Sequence, residues 1–196
     1  MNILIFRRLL IILFIGLCIF QMGCNNSGTK GAEEHSILFT NVTAIDAKFG
    51  ERNNINILVT NNKITKVSKE EINSPSNCIT IDGTGKYLIP GLWDAHVHIT
   101  FTPGLEESMF PLFIANGITS IRDTGGLIDL VLPWKDKAKQ EPNSSPNVFI
   151  AGPLLDGLPN VYDGSPGRHE ISIGLESPKE AEETVVMLKN KGVDLI

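Results

Sequence analysis

The sequence has few of the features that define several large classes of protein. Its 196 residues include only three cysteines, and 17 basic against 22 acidic side chains give a formal net charge of −5. A disulfide framework needs more cysteines than this, and a nucleic-acid-binding face needs clustered basic residues. We therefore expect neither a disulfide scaffold nor a nucleic-acid partner. The hydrophobic fraction of 42% and the charged fraction of 20% are typical of a globular protein.

The chain also lacks a hydrophobic run long enough to cross a bilayer. Its longest apolar stretch, Leu9–Phe20, follows Arg7 and Arg8. That stretch is shorter than the ~20 residues that a membrane-spanning helix requires. A short apolar core behind basic residues is typical of a secretory signal, and a buried core helix is the alternative.

The end of this segment resembles a bacterial lipoprotein signal. The letters QMGC are followed by the polar stretch NNSGTKGAEE, and in such signals the cysteine is lipidated and becomes the mature N-terminus. The resemblance implies a signal peptide over residues 1–23, lipidation of Cys24 and a polar tether over residues 24–35. It also implies an extracytoplasmic lipoprotein held to the membrane by its lipid, with ordinary secretion or an uncleaved anchor as alternatives.

Residues 36–90 contain short runs rich in β-branched residues and no helical pattern. Asn61 and Asn62 separate two of these runs, and asparagine tolerates the positive φ of a type I′ hairpin turn. Asp82 and Gly83 provide turn chemistry between two more runs. We therefore predict a small antiparallel β-sandwich unit, whose strands need a covering layer because isolated hairpins are marginally stable in water.

From residue 91 to residue 196, predicted strands alternate with predicted helices. The clearest helix follows Ser177, with Pro178 at the first helical position and Gly192 at the end. Strand–helix alternation predicts parallel βαβ units, arranged either as an open doubly wound sheet or as a (β/α)8 barrel. The sequence has no G-x-G-x-x-G fingerprint after a predicted strand, which disfavours the dinucleotide-binding fold.

The first strand of this region carries polar residues at alternating positions. In LWDAHVHIT, Asp94, His96 and His98 alternate with apolar residues, and the period of two predicts that the three side chains share one face. Burying them is costly unless a partner satisfies them. A divalent metal such as zinc would do so, with His96 and His98 as ligands and Asp94 accepting a hydrogen bond from a liganding ring. The metal-free alternative is two histidines paired with Asp94 and water.

The segment GKYLIPGLWDAHVHI resembles the opening of the amidohydrolase superfamily. NGITSIRDTGG, AGPLLDG and NKGVDLI are similar to the branch that contains imidazolonepropionases and Xaa-Pro dipeptidases. The resemblance implies a (β/α)8 barrel with one or two divalent ions, most often zinc, bound in part by His96 and His98. It also implies hydrolysis of a carbon–nitrogen bond in a small amide, cyclic amide or dipeptide by a metal-activated water.

The resemblance covers only part of the family's site. In the family a strand-four lysine, histidines on strands five and six and a strand-eight aspartate complete it, and none has a counterpart before Ile196. We expect an incomplete barrel of about three and a half βα units, inactive alone, whose missing half is absent or belongs to another chain. A non-catalytic lipoprotein fragment or a decayed gene product is the alternative. Arg122 and Asp123 are either substrate contacts or a salt-bridged pair, and His169 is expected on the surface.

Overall fold

The computed structural model describes residues 35–196, which form two compact units that divide between Leu88 and Ile89. The predicted signal peptide, residues 1–23, and the predicted lipidation site Cys24 lie outside the described residues. Within the described part of the chain, every helix is too short or too polar to cross a membrane.

The first unit is a five-stranded sheet. Its strands are β1 (Ser36–Asp46), β2 (Gly50–Thr60), β3 (Lys63–Ser68), β4 (Cys78–Asp82) and β5 (Tyr87–Leu88). β1 pairs with β2, and β2 with β3, in antiparallel fashion, whereas β4 and β5 run parallel to β1. The predicted antiparallel arrangement is therefore confirmed for β1, β2 and β3 and wrong for β4 and β5. The reason is that the chain crosses from β3, at one edge, to the far side of β1.

The turn between β2 and β3 forms as predicted. Asn61 and Asn62 have φ angles of 48° and 62°, in the region that both central residues of a type I′ turn occupy. The prediction is therefore confirmed. Its physical basis is that asparagine is one of the few residues that adopt this conformation at low cost.

The second unit contains a parallel sheet of three strands with helices between them. Its elements are β6 (Leu92–Val97), α1 (Glu106–Ala115), β7 (Ile118–Asp123), α2 (Ile128–Gln140), β8 (Asn147–Ile150), β9 (Leu154–Gly157), β10 (Ser172–Leu175) and α3 (Pro178–Lys191). The first three strands lie in the order β6-β7-β8. Adjacent parallel strands joined by helices are the predicted βαβ pattern.

The core of the second unit lies between this sheet and its helices. Ile121 of β7, Val131 of α2 and Leu188 of α3 are completely buried. Val97 and Ile150, from the two outer strands of the sheet, belong to the same cluster. One face of the sheet is apolar because the helices cover it.

Two segments of the second unit depart from simple strand–helix alternation. The segment between β8 and α3 contains β9 and β10, which pair in parallel as a separate two-stranded sheet. Residues 193–196 form no strand, although the Asp194 N–H donates to the Ile150 carbonyl oxygen at 2.8 Å. The described residues therefore hold an open sheet rather than a closed barrel.

The N-terminus of α3 has the predicted cap. Ser177 Oγ accepts a hydrogen bond from the Glu180 N–H at 3.2 Å, and Pro178 occupies the first turn. Ser177→Ala is expected to lower the free energy of unfolding by about 1 kcal/mol, because this N–H loses its acceptor. Urea denaturation measures the loss. Glu182→Ala, at an exposed position on the same helix, is the control, and an equal loss there would contradict the capping role.

Candidate metal centre

A β-bulge interrupts β6 within the polar motif. Asp94 pairs with Ile121, and Val97 pairs with Asp123. Ile121 and Asp123 are two residues apart on β7 and project to one face, so Asp94 and Val97 share that face although they are three residues apart. The prediction that Asp94 shares a face with the two histidines is therefore wrong, because the extra residue of the bulge reverses the alternation.

The Asp94 carboxylate contacts the main chain. Its Oδ1 accepts a hydrogen bond from the His96 N–H at 3.2 Å. Among the hydrogen bonds of the described residues, none joins Asp94 to an imidazole ring, and the ring of His98 bonds to Gly125 instead. In this structure Asp94 thus supports the backbone of the bulge.

The two histidines of the motif lie side by side. The ring centroids of His96 and His98 are 5.2 Å apart, with the ring planes at 85°. His96 is exposed and His98 is half-buried. Nδ1 of His98 lies 2.9 Å from the Gly125 carbonyl oxygen. A carbonyl oxygen only accepts, so Nδ1 carries the proton, and the Nε2 lone pair of the neutral ring is available to a cation.

Arg122 and Asp123, at the end of β7, have different surroundings. Asp123 is completely buried and accepts hydrogen bonds from the N–H groups of Ile99, at 2.6 Å, and Gly125, at 3.1 Å. Arg122 is exposed, and its Nε donates to the Ala95 carbonyl oxygen at 2.8 Å. Successive strand residues point to opposite faces, so the salt-bridged pair offered as one alternative is wrong. Arg122 shares the face of the histidines.

Burial raises the pKa of the Asp123 carboxyl above its ordinary value. The hydrogen bonds from Ile99 and Gly125 and the nearby His98 act in the opposite direction, and burial outweighs them. A raised pKa is the usual effect of removing a carboxylate from water. The group is thus held by main-chain donors in a region that water does not reach.

An aromatic contact brings a third histidine close to the pair. The Phe101 ring centroid lies 5.7 Å from that of His98 and 3.6 Å from that of His169. His169 is exposed, as predicted. Its position beside the motif is not evident from the sequence, because the segment between β9 and β10 that carries it has no pattern that ties it to β6.

The donor chemistry of the site fits a divalent cation, although the number of donors is small. Neutral imidazole is a common zinc ligand, and zinc sites in proteins take three or four protein ligands. In the described residues no group of three His, Cys, Asp or Glu side chains is placed to hold one metal ion. The pair His96 and His98 alone therefore offers fewer ligands than such a site takes.

Comparisons with known proteins show what kind of protein the chain resembles. No family model matches the chain. It is 31% identical to the dihydroorotase of Trichlorobacter lovleyi over 134 residues, which are 63% of this chain and 31% of the relative. The structure of a protein described as a prolidase, from Bifidobacterium longum, aligns with a TM-score of 0.66 at 25% identity over 82% of this chain and 39% of that one. A Xaa-Pro dipeptidase with bound methionine gives a TM-score of 0.67 at 21% identity over 81% and 45%.

The chain carries part of the amidohydrolase-superfamily fold. The resemblance of GKYLIPGLWDAHVHI to that superfamily is confirmed, and so is the fold class, α/β with part of a (β/α)8 barrel that follows a β unit in the sequence. The amidohydrolase-like chain spans about a third of its curated relative and less than half of each of these solved structures. The relatives are hydrolases that act on carbon–nitrogen bonds.

Proposed function

We propose that the amidohydrolase-like chain supplies two ligands of the metal centre of a hydrolase that acts on carbon–nitrogen bonds. The observation that carries the proposal is the neighbouring pair His96 and His98, with Nδ1 of His98 bonded to Gly125 so that Nε2 is available. The dihydroorotase relative and the dipeptidase neighbour support the bond type. A small amide, cyclic amide or dipeptide is the proposed substrate class.

Each residue of the site has a separate role in this proposal. His96 and His98 would hold a divalent ion, and zinc is the proposed metal because imidazole suits it. Such an ion, when bound, activates a water molecule and polarises the bond to be cleaved. Arg122 lies on the same sheet face, where its guanidinium is suited to a substrate carboxylate.

We also propose that this chain is inactive by itself. A catalytic zinc site takes three protein ligands and one water, and the described residues bring together two imidazoles. The remaining ligands would come from further polypeptide, on the same protein or on a second chain. A non-catalytic lipoprotein is the alternative that the same shortage of ligands favours.

The proposed location is the extracytoplasmic face of a membrane. Arg7 and Arg8 before the apolar stretch Leu9–Phe20 support secretion, and Cys24 supports a lipid anchor. Labelling of cells with a radioactive fatty acid tests the anchor, since Cys24→Ala is expected to abolish the label.

Titration of the full 196-residue chain with Zn²⁺ and Co²⁺ tests the metal site. The wild-type chain is expected to bind one ion, and His96→Ala and His98→Ala are each expected to weaken binding at least about tenfold, because one of two ligands is lost. His169→Ala is the matched control, since this exposed histidine is expected to contribute nothing to binding.

Two results would contradict the proposal. Equal metal affinity in the wild type and in the His96 and His98 variants would remove its basis and favour the non-catalytic lipoprotein. Turnover of a dipeptide by the purified chain, above the level of His96→Ala, would contradict the proposed inactivity.

A further inference from the structure

The loop after β7 touches His98 in two ways. The Gly125 carbonyl oxygen lies 2.9 Å from Nδ1 of His98. A Cβ atom at position 125 would lie 3.0 Å from Cε1 and 3.1 Å from Nδ1 of the same ring. Those distances are closer than a side-chain carbon normally approaches an imidazole, so a side chain at position 125 would displace the ring. Glycine at position 125 thus lets the main chain approach His98 without this crowding.

Asp123 ties this loop to β6. Its Oδ1 accepts a hydrogen bond from the Gly125 N–H at 3.1 Å, and its Oδ2 accepts one from the Ile99 N–H at 2.6 Å. Ile99 directly follows His98. The buried carboxylate therefore holds the main chain on both sides of the hydrogen bond between His98 and Gly125. Bonds of this kind to a carboxylate are stronger than those between neutral groups.

The loop also has main-chain anchors that do not depend on Asp123. The Thr124 N–H donates to the Val97 carbonyl oxygen at 3.0 Å, and the Gly126 N–H donates to the Gly152 carbonyl oxygen at 3.1 Å. A change at Asp123 is therefore expected to loosen the Gly125 carbonyl without releasing the whole loop.

We propose that Asp123 is a positioning residue for the metal centre. By holding the Gly125 carbonyl against His98, it fixes this ring in the tautomer with the proton on Nδ1 and directs Nε2 to the ion. Which nitrogen of a histidine binds a metal is set by the hydrogen bond that the other nitrogen makes. The inference rests on the proposed function for its metal, whereas the tautomer is a property of the chain alone.

The ¹⁵N NMR spectrum of the full, histidine-labelled chain, recorded at alkaline pH without metal, tests the tautomer. His98 is expected as the Nδ1–H form, assigned by the resonances that His98→Gln removes. In Asp123→Asn, the Nε2–H form is expected to rise several-fold, because the amide nitrogen cannot accept a bond from either N–H group. Zinc affinity is expected to fall by about 10- to 100-fold.

Three further variants separate positioning from stability. Gly125→Ala keeps the carboxylate but displaces the ring, so zinc affinity is expected to fall there as well. Gly157→Ala is its control, since an added Cβ there meets no atom within 4 Å. Asp194 accepts a hydrogen bond from the Ile150 N–H at 2.8 Å, and among the hydrogen bonds of the described residues none joins Asp194 to the loop after β7. Asp194→Asn is therefore expected to lower stability and leave the His98 tautomer unchanged.

The outcomes are distinct. If Asp123→Asn and Gly125→Ala lower thermal stability but leave the His98 tautomer and the zinc affinity as in the wild type, the positioning role is refuted. A different result is that the wild type has the expected tautomer, Asp123→Asn has both tautomers of His98, and zinc does not bind. In that case the positioning of His98 stands and the proposed function fails. If Asp123→Asn does not fold, Gly125→Ala provides the test. Altered His98 resonances and lower zinc affinity in that variant support the positioning role, and wild-type values of both refute it.

Discussion

Ile121→Ala is expected to lower the free energy of unfolding by about 2–5 kcal/mol. Ile121 is completely buried on β7, the central strand of the β6-β7-β8 sheet, in one cluster with Val131 and Leu188. The deletion leaves a cavity between the sheet and its helices. The side chains of the adjacent strands and helices cannot move far enough to close it. The loss of apolar burial and the cavity both reduce stability.

Guanidinium chloride denaturation of the full chain measures this loss. Leu130→Ala is the matched control, because Leu130 lies on α2 with 53% of its surface exposed. Exposed substitutions of this kind usually change stability by less than about 0.5 kcal/mol. Similar losses in the two variants would show that Ile121 is not part of a packed core.

Gly91→Ala is expected to lower the free energy of unfolding by about 1–3 kcal/mol. A Cβ atom at position 91 would lie 2.5 Å from Cγ2 and 2.8 Å from Cβ of Thr119, and closer still to its Oγ1. Threonine is β-branched and has few rotamers through which to withdraw. The chain cannot move aside easily, because the Leu92 N–H bonds to the Gly117 carbonyl oxygen at 2.9 Å.

A double-mutant cycle with Thr119→Gly tests this explanation. Removing the Thr119 side chain removes the atoms that the new Cβ would meet, so Gly91→Ala is expected to cost less in that background. Coupling energies of contacting residues are about 0.5–3 kcal/mol. Strictly additive losses would mean that the glycine of the PGLWDAHVH segment is needed for a reason other than this contact.

The sequence predicts local structure well where one residue type determines the backbone. Ser177 caps α3, and Asn61 and Asn62 form the turn after β2, because side-chain chemistry there acts within a few residues. The direction of β4 could not be predicted in the same way. It depends on which strand β4 lies beside, and the partner β1 is distant in sequence.

In the candidate site, too, the features within one segment were predicted and the contacts between elements were not. The alternation of polar residues in LWDAHVHIT and the resemblance to the amidohydrolase superfamily both pointed to His96 and His98, and the structure places their rings together. The position of Asp94 was wrong because alternation in sequence does not reveal a bulge, which exists only in the pairing with β7. The contacts of Asp123 and Gly125 with β6 could not be predicted for the same reason, since their partners lie on another element.

The contact between Asp194 and Ile150 has a consequence for self-association. An unpaired strand edge can template the addition of a strand from another molecule. At the edge of β8, both main-chain groups of Ile150 are already bonded to Asp194, and Lys135 holds that carboxylate at 2.7 Å. An incoming strand would first have to break both bonds, of which the one from the Ile150 N–H to the carboxylate is charge-assisted. We therefore expect Asp194 to hinder the addition of a strand at this edge of the sheet.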